Sequence, residues 1–209
     1  MKNREHIEWC NIWVTGADDD LGQPRLLLIG DSIANSYFSR VENDLKGRFL
    51  CARLVTSRCV SDPNFKKELT LLLDEFRFDA IHFNNGLHGW GYDEQAYTKG
   101  LSEVLDFIIA KSQRSKLILG TTTPVWQKGG PGKLDPKTAR VRERNRVARK
   151  LAAEYNIPIN DLFVLVIDRP ELFSEDGVHF NQAGDDILGR AVAQSVLQQE
   201  VSKAEQVIT

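Results

Sequence analysis

The sequence lacks three features that would assign it at once to a class of protein: a long apolar run, an excess of charge of one sign, and paired cysteines. No apolar stretch is long enough to span a membrane. The 27 Lys and Arg residues nearly balance the 29 Asp and Glu residues, which leaves a net charge of −2. Because no overall field attracts nucleic acid or an anionic membrane, we predict that the protein binds neither.

Cysteine is scarce as well. Cys10, Cys51 and Cys59 are odd in number and show no CxxC spacing, which argues against a disulfide framework and against a zinc site. We expect three buried, free thiols and no metal. The first residues, MKNREHIEWCN, contain no apolar stretch of signal-peptide length, which predicts a cytoplasmic protein, or a secreted one if a signal peptide was trimmed.

What the sequence does contain is a regular alternation of short and long elements. With 209 residues, 42% of them hydrophobic, it suits one domain. Apolar runs of strand length lie at 26–29, 49–55, 80–83, 117–119 and 157–159. Segments of helical periodicity lie at 33–45, 65–76, 93–111, 136–155 and 182–201. The alternation predicts βαβ units, and so an α/β fold whose parallel sheet carries helices on both faces.

The domain organisation predicted from this pattern is simple. Residues 1–24 form an N-terminal segment that packs on the domain, residues 25–203 form the domain, and residues 204–209 form a tail. The stretch QKGGPGK at 127–133 predicts a loop, because three glycines and a proline disfavour a regular element.

The stretch RLLLIGDSIANSYF, residues 25–38, places a serine at a favourable point for chemistry. Four consecutive apolar residues predict a strand buried on both faces, and a helix follows at 33–45. Ser32 is therefore expected at the carboxyl end of a strand, where open α/β sheets bind their ligands. An alternative is that Asp31 or Ser32 only caps the helix.

A serine nucleophile needs a base, and histidine suits that task near neutral pH. His179 lies in SEDGVHFNQAG, residues 174–184, three positions after Asp176 and directly before the last helix. An acid at this spacing can hold the imidazole in the tautomer that a Ser-His-Asp arrangement needs. The alternative is a loop acid beside a surface histidine.

The GDS triplet after the first strand and the DxxH pattern before the last helix resemble the signature ends of the SGNH hydrolases, also called GDSL esterases. The resemblance spans nearly the whole chain and implies a flavodoxin-like three-layer αβα sandwich with a central parallel sheet of about five strands. It also implies that Ser32 is the nucleophile, His179 the base and Asp176 the orienting acid, while Asp31 stabilises the turn. No cofactor is implied.

The family takes three oxyanion donors from the serine N–H, a glycine N–H after the second strand, and the asparagine of a G-x-N-D motif after the third. This sequence departs from the last two. Ser57 in LVTSRCV is the best match to the glycine, and an ungapped count from Asp79 puts Gly86 on the motif glycine and His88 on the asparagine. The resemblance therefore implies Ser32, Ser57 and His88 as oxyanion donors, with Asn85 as the rival of His88. A neutral imidazole can donate one hydrogen bond.

Aromatic and basic side chains surround the predicted site. Trp90 follows the third strand and Trp126 follows the fourth, so both are candidates for binding a sugar ring, although either can simply pack at the rim. Residues 133–150 contain eight Lys or Arg residues, and alternating charge on a helix is typical of a solvated face. An acidic sugar is a second interpretation.

These observations predict a carbohydrate esterase that removes an O-acetyl or another small acyl group from a small-molecule or oligosaccharide ester. The alternatives are a lipid or thioester hydrolase, and a sugar-binding domain without activity on the same fold. Absence of an amphipathic lid argues against the first, and an intact set of Ser32, Asp176 and His179 argues against the second. The pattern makes no prediction of oligomeric state.

Overall fold

A six-stranded sheet lies at the centre of the computed structural model, which describes residues 5–18, 22–129 and 132–206, with side chains to residue 200. The strands, in chain order, are β1 (Cys10–Val14), β2 (Arg25–Gly30), β3 (Leu50–Thr56), β4 (Ala80–Phe83), β5 (Lys116–Gly120) and β6 (Ile159–Asn160). Their spatial order is β1-β3-β2-β4-β5-β6. All neighbours pair in parallel except β1, which runs antiparallel to β3.

Helices cover both faces of this sheet. They are α1 (Ser32–Asp44), α2 (Phe65–Leu73), α3 (Glu94–Lys111), α4 (Lys137–Glu154), α5 (Leu162–Val166) and α6 (Gln182–Gln206), with a 3-10 turn at Pro170–Leu172. Strand β2 explains the three layers, because Leu26 and Leu28 enter the core shared with α1, α5 and α6. Leu27 and Ile29 enter the core on the other face, with α2, α3 and α4. A strand that packs on both faces has no polar side, as its sequence predicts.

The predicted α/β fold is confirmed, and the sheet has one strand more than expected. Strand β1 lies in the N-terminal segment, where no strand is predicted from the sequence; its short apolar run, Ile12 to Val14, is mostly exposed. Helix α6 extends to Gln206, beyond the predicted domain end at 203. Residues 1–4 and 19–21 of the N-terminal segment, residues 130–131 of the predicted loop and residues 207–209 of the predicted tail lie outside the described residues.

The three thiols are free, but they differ in exposure. Cys51 and Cys59 are buried as expected, whereas Cys10 is exposed. The expectation is wrong for Cys10 because β1 is an edge strand and Cys10 faces solvent.

Strand β2 pairs with β3 on one side and with β4 on the other, so the chain leaves β2 at the point where the strand order reverses. Ligand crevices in open α/β sheets form outside the carboxyl ends of the strands at this switch point. The residues that follow β2, β3 and β4 are therefore the ones placed to form a site. In the described part of the chain, no helix has both the length and the apolar character needed to cross a bilayer.

Candidate active site

Ser32 is the first residue of α1, directly after the carboxyl end of β2. Asp31 caps the helix, since its Oδ1 accepts a hydrogen bond from the Ile33 N–H at 3.0 Å. The turn is tight at Gly30, where a Cβ would lie 2.5 Å from the Cβ of Ala34, so a glycine is needed for the helix to start so close to the strand. This turn holds the Ser32 side chain at the sheet edge.

His179 and Asp176 approach Ser32 from the loop before α6, although His179 is 147 positions away in sequence. The Ser32 hydroxyl lies 2.9 Å from His179 Nε2, and His179 Nδ1 lies 2.6 Å from Asp176 Oδ2. The other carboxylate oxygen, Oδ1, accepts from the backbone N–H groups of Val178 and His179 at 2.9 Å each. The structure thus brings all three predicted residues into one hydrogen-bonded chain.

Charge reinforces this arrangement. Partial burial acts to raise the pKa of Asp176, but the hydrogen bonds from the His179 ring and from two backbone N–H groups outweigh it and lower the pKa below its usual value. An ionised Asp176 holds a proton on Nδ1 of His179, which leaves Nε2 free to accept the Ser32 proton. The His179 and Asp176 side chains are 43% and 46% exposed, so solvent and substrate can reach them.

Asp31 is a buried acid directly beside this group. It is 1% exposed, and its Oδ2 has no hydrogen-bond partner among the described residues. Burial raises the pKa of Asp31, while the positive charges of His88 and His179 act in the opposite direction. His88 follows β4, which pairs in parallel with β2, so His88 and Asp31 lie in segments that leave the sheet at the same edge.

Two of the expected oxyanion donors already have partners in the protein. The backbone N–H of Ser57 donates to the Trp9 carbonyl at 3.0 Å, because the N-terminal segment continues the pairing of β1 with β3. The Asn85 side chain is buried and spans the loop after β3, donating to Arg58 O at 2.8 Å and accepting from the Val60 N–H at 3.1 Å. These contacts use the Ser57 N–H and both polar atoms of Asn85 within the protein.

The loop that carries His88 is held by a buried cation, Arg144 from α4. Arg144 is 1% exposed, and its Nη1 donates to the carbonyls of Gly86 and His88 at 2.8 Å each. Its Nε bonds Glu94 at 3.0 Å, and its guanidinium lies 4.5 Å from the centre of the Trp90 ring. In the sequence, Arg144 belongs to the basic segment at 133–150, and nothing in the alternation of charge marks it as buried. Its helical spacing from Val141 and Ala148 does indicate that it lies on the buried face of α4.

The two tryptophans differ in what surrounds them. Three cations from α4 lie over the Trp90 ring: Lys137, Arg140 and Arg144, at 5.6, 5.3 and 4.5 Å from its centre. Trp126 instead lines a small cleft with Phe173 and Gly177, and its backbone N–H donates to Gly177 O at 2.8 Å, next to Asp176. Trp126 thus adjoins the loop that carries Asp176, whereas Trp90 is covered by cations from α4.

The basic residues of the segment at 133–150 do not all lie on a solvated face. Arg140 donates to the carbonyls of Trp90 and Tyr92 at 2.9 and 2.6 Å, and Arg149 pairs with Asp161 at 2.7 Å. Arg146, in contrast, is exposed and pairs only with Glu143 on its own helix. Part of this segment therefore braces the loop after β4, which alternation of charge along the sequence does not reveal.

Comparison with known proteins identifies the family and agrees with the fold. The model of the GDSL-like lipase/acylhydrolase family matches residues 28–187. A GDSL-like lipase from Bacteroides thetaiotaomicron superposes with a TM-score of 0.67 at 15% identity, covering 84% of this chain and 88% of that one. The acetylxylan esterase Axe2 from Geobacillus stearothermophilus superposes with a TM-score of 0.63 at 19% identity, covering 82% and 93%.

A further solved structure, the acetyl xylan esterase AlAXEase, has a TM-score of 0.65 at 19% identity and is covered over 99% of its length by 82% of this chain. At such identities the likeness shows the fold. No curated protein matches the sequence.

The buried charge of Asp31 gives a prediction for stability. Asp31→Asn keeps an oxygen for the Ile33 N–H and removes a negative charge from an apolar site, so it should raise the free energy of unfolding at about pH 7. Because the folded pKa of Asp31 is raised, the unfolded chain loses this proton first as pH rises. The wild type therefore loses stability above the usual aspartate pKa of about 4, and the advantage of the variant should vanish below it.

Urea unfolding of the wild type, Asp31→Asn and the exposed control Asp18→Asn, at about pH 4 and about pH 7, measures this effect. A variant at position 31 that is less stable than the wild type at about pH 7 would contradict it.

Proposed function

Because the chain belongs to the GDSL-like lipase/acylhydrolase family, we propose that it is a serine esterase that removes an O-acetyl or another small acyl group from a saccharide. The observation that carries this proposal is the chain of hydrogen bonds from Ser32 through His179 to Asp176. Ser32, His179 and Asp176 are the proposed catalytic residues. Membership of the family supports hydrolysis of an ester, and the choice of a saccharide as the substrate is what this proposal adds.

In the first half of the reaction, Ser32 Oγ attacks the ester carbonyl and transfers its proton to His179 Nε2. The tetrahedral intermediate collapses as His179 gives that proton to the leaving sugar hydroxyl, which leaves the acyl group on Ser32. Water then attacks the acyl-enzyme with His179 again as base, and the carboxylic acid departs. Asp176 stabilises the imidazolium in both halves.

The proposed oxyanion donors are the backbone N–H of Ser32 and the ring of His88. Ser32 begins α1, so its N–H is one of the first four of a helix, which have no partner inside the helix. His88 follows β4, which pairs in parallel with β2, so its loop leaves the sheet at the same edge as Ser32. Ser57 is left out of this proposal because the Trp9 carbonyl accepts its N–H, and Asn85 because its buried side chain is held between the Arg58 carbonyl and the Val60 N–H.

A saccharide is favoured by what lies beside the catalytic group. The Trp126 and Phe173 rings line the cleft next to the loop of Asp176, and an aromatic surface of this kind packs well against a sugar ring. Two structures of the same fold are named as acetyl xylan esterases. The exposed His179 and Asp176 side chains also fit a polymer or oligomer that binds across an open surface better than a deep acyl tunnel.

If the three residues act as one unit, Ser32→Ala and His179→Ala should each lower kcat by about 10⁴-fold or more, and the double variant should lose little beyond either one. Asp176→Asn should be nearly as severe, because an amide does not stabilise the imidazolium. Steady-state hydrolysis of p-nitrophenyl acetate measures these effects, with Asp18→Asn as a charge control. Losses that multiply in the double variant would mean that the residues do not cooperate.

The acyl and alcohol preferences test the substrate class. We expect hydrolysis of p-nitrophenyl esters to fall from acetate to butyrate to octanoate, and acetylated xylo-oligosaccharides to be deacetylated with a higher kcat/KM than p-nitrophenyl acetate. Trp126→Ala should raise KM for the oligosaccharide and leave the small ester nearly unchanged. A preference for octanoate would instead indicate a lipase or thioesterase, and binding of the sugar without Ser32-dependent turnover would indicate a binding domain.

A further inference from the structure

We propose that Glu5, in the N-terminal segment, is the positioning residue for His88, and that the Glu5–His88 pair supplies a charged hydrogen-bond donor to the oxyanion. This inference rests on the proposed esterase function and assigns a role in it to a part of the chain outside the family match, which begins at residue 28.

The contacts of Glu5 reach both the backbone and the side chain of the loop after β4. Glu5 Oε1 accepts the Gly89 N–H at 3.2 Å, and the same oxygen lies 3.4 Å from His88 Nδ1. The His88 and Glu5 side chains are only 21% and 35% exposed, so the two groups face each other in partial shelter from solvent. One carboxylate therefore fixes the loop and one side of the imidazole together.

The N-terminal segment is anchored well enough to hold this carboxylate in place. Beyond the pairing of β1 with β3, the Trp9 N–H donates to Ser57 Oγ at 2.9 Å, and Glu8 pairs with Arg58 at 3.4 Å. The Trp9 ring also meets the His88 ring edge to face, with centres 6.4 Å apart. The segment thus packs directly over the residues that follow β3 and β4.

Glu5 contacts both of the positions at which the loop after β4 departs from the family motif, His88 and Gly89. The ungapped count that puts His88 on the motif asparagine also puts Gly89 on the motif acid. Glu5 brings a carboxylate from elsewhere in the chain to the N–H of that glycine. The carboxylate of Glu5 therefore contacts the loop backbone directly beside His88.

The chemistry of the imidazole explains why the carboxylate matters. With Nδ1 turned to Glu5, Nε2 on the other side of the ring is the atom left for an oxyanion. A neutral ring that keeps its proton on Nδ1 has no proton on Nε2 and cannot donate there, whereas a ring protonated on both nitrogens can. Glu5 offsets the positive charge of that form, and a charged donor forms the stronger hydrogen bond to an anion.

The other charged groups around His88 permit this state. Asp31, at the end of β2, is negative when ionised and interacts with the His88 charge. Arg144 and Arg140, from α4, turn donors to backbone carbonyls of the loop and share the single carboxylate of Glu94. Glu5 and, when ionised, Asp31 thus oppose two cations that α4 directs at the loop.

A double-mutant cycle between positions 5 and 88 tests the proposal. Glu5→Gln should lower kcat for p-nitrophenyl acetate about 10-fold with KM nearly unchanged, because the donor acts only in the transition state. His88→Asn should keep much of the activity, since an amide donates without a charged partner. In the His88→Asn background, Glu5→Gln should then have almost no effect on kcat. Asp18→Asn, which removes an exposed acid from the same segment, is the matched control and should leave kcat unchanged.

Several outcomes would overturn the role of Glu5: no loss of kcat in Glu5→Gln, an equal fold-loss in both backgrounds, or a loss matched by Asp18→Asn. Thermal unfolding of each variant is measured alongside, and a loss of kcat in Glu5→Gln that disappears at a temperature well below its unfolding transition also overturns it. If His88→Ala retains full turnover, the Glu5–His88 pair is not the donor, while the esterase proposal stands as long as Ser32→Ala is inactive. Turnover that survives in Ser32→Ala overturns the esterase proposal itself.

Discussion

The parallel pairing of β2 with both β3 and β4 determines which loops surround Ser32, the proposed nucleophile. Because parallel strands end at the same edge, the segments after β2, β3 and β4 meet although they are far apart in sequence. The same edge receives the loop before α6, so Ser32 and His179 meet across 147 positions.

A second constraint is specific to this chain. The loop after β4 is held from inside by Arg144 and from outside by the N-terminal segment, and His88 lies between them. Burial of a cation is unfavourable unless it is paired and its donors are satisfied. Arg144 meets this condition with Glu94, with backbone carbonyls and with the rings of Trp90 and Tyr97, so the helix and the loop form one rigid unit.

The sequence predicts the layers of the fold and the central group of the site because both depend on local patterns. Apolar runs mark β2 to β5, and the GDS and DxxH patterns mark Ser32, Asp176 and His179. What escapes prediction depends on contacts between distant segments. Strand β1 is not predicted because its short apolar run lies on a mostly exposed edge strand, and the hydrogen bonds of Ser57 and Asn85 join them to residues that sequence spacing does not connect to them. Glu5 and Arg144 belong to the same class, since each acts on a loop from another part of the chain.

The proposed esterase mechanism requires Ser32 to carry the acyl group in a covalent intermediate. Rapid quenching in acid during turnover of an acetyl ester, followed by peptide mass spectrometry, locates that group directly. One added acetyl group is expected on the peptide that contains Ser32, formed within the burst of the first turnover and absent from the Ser32→Ala variant. An acetyl group on a different residue, or turnover at an unchanged rate in Ser32→Ala, would contradict it.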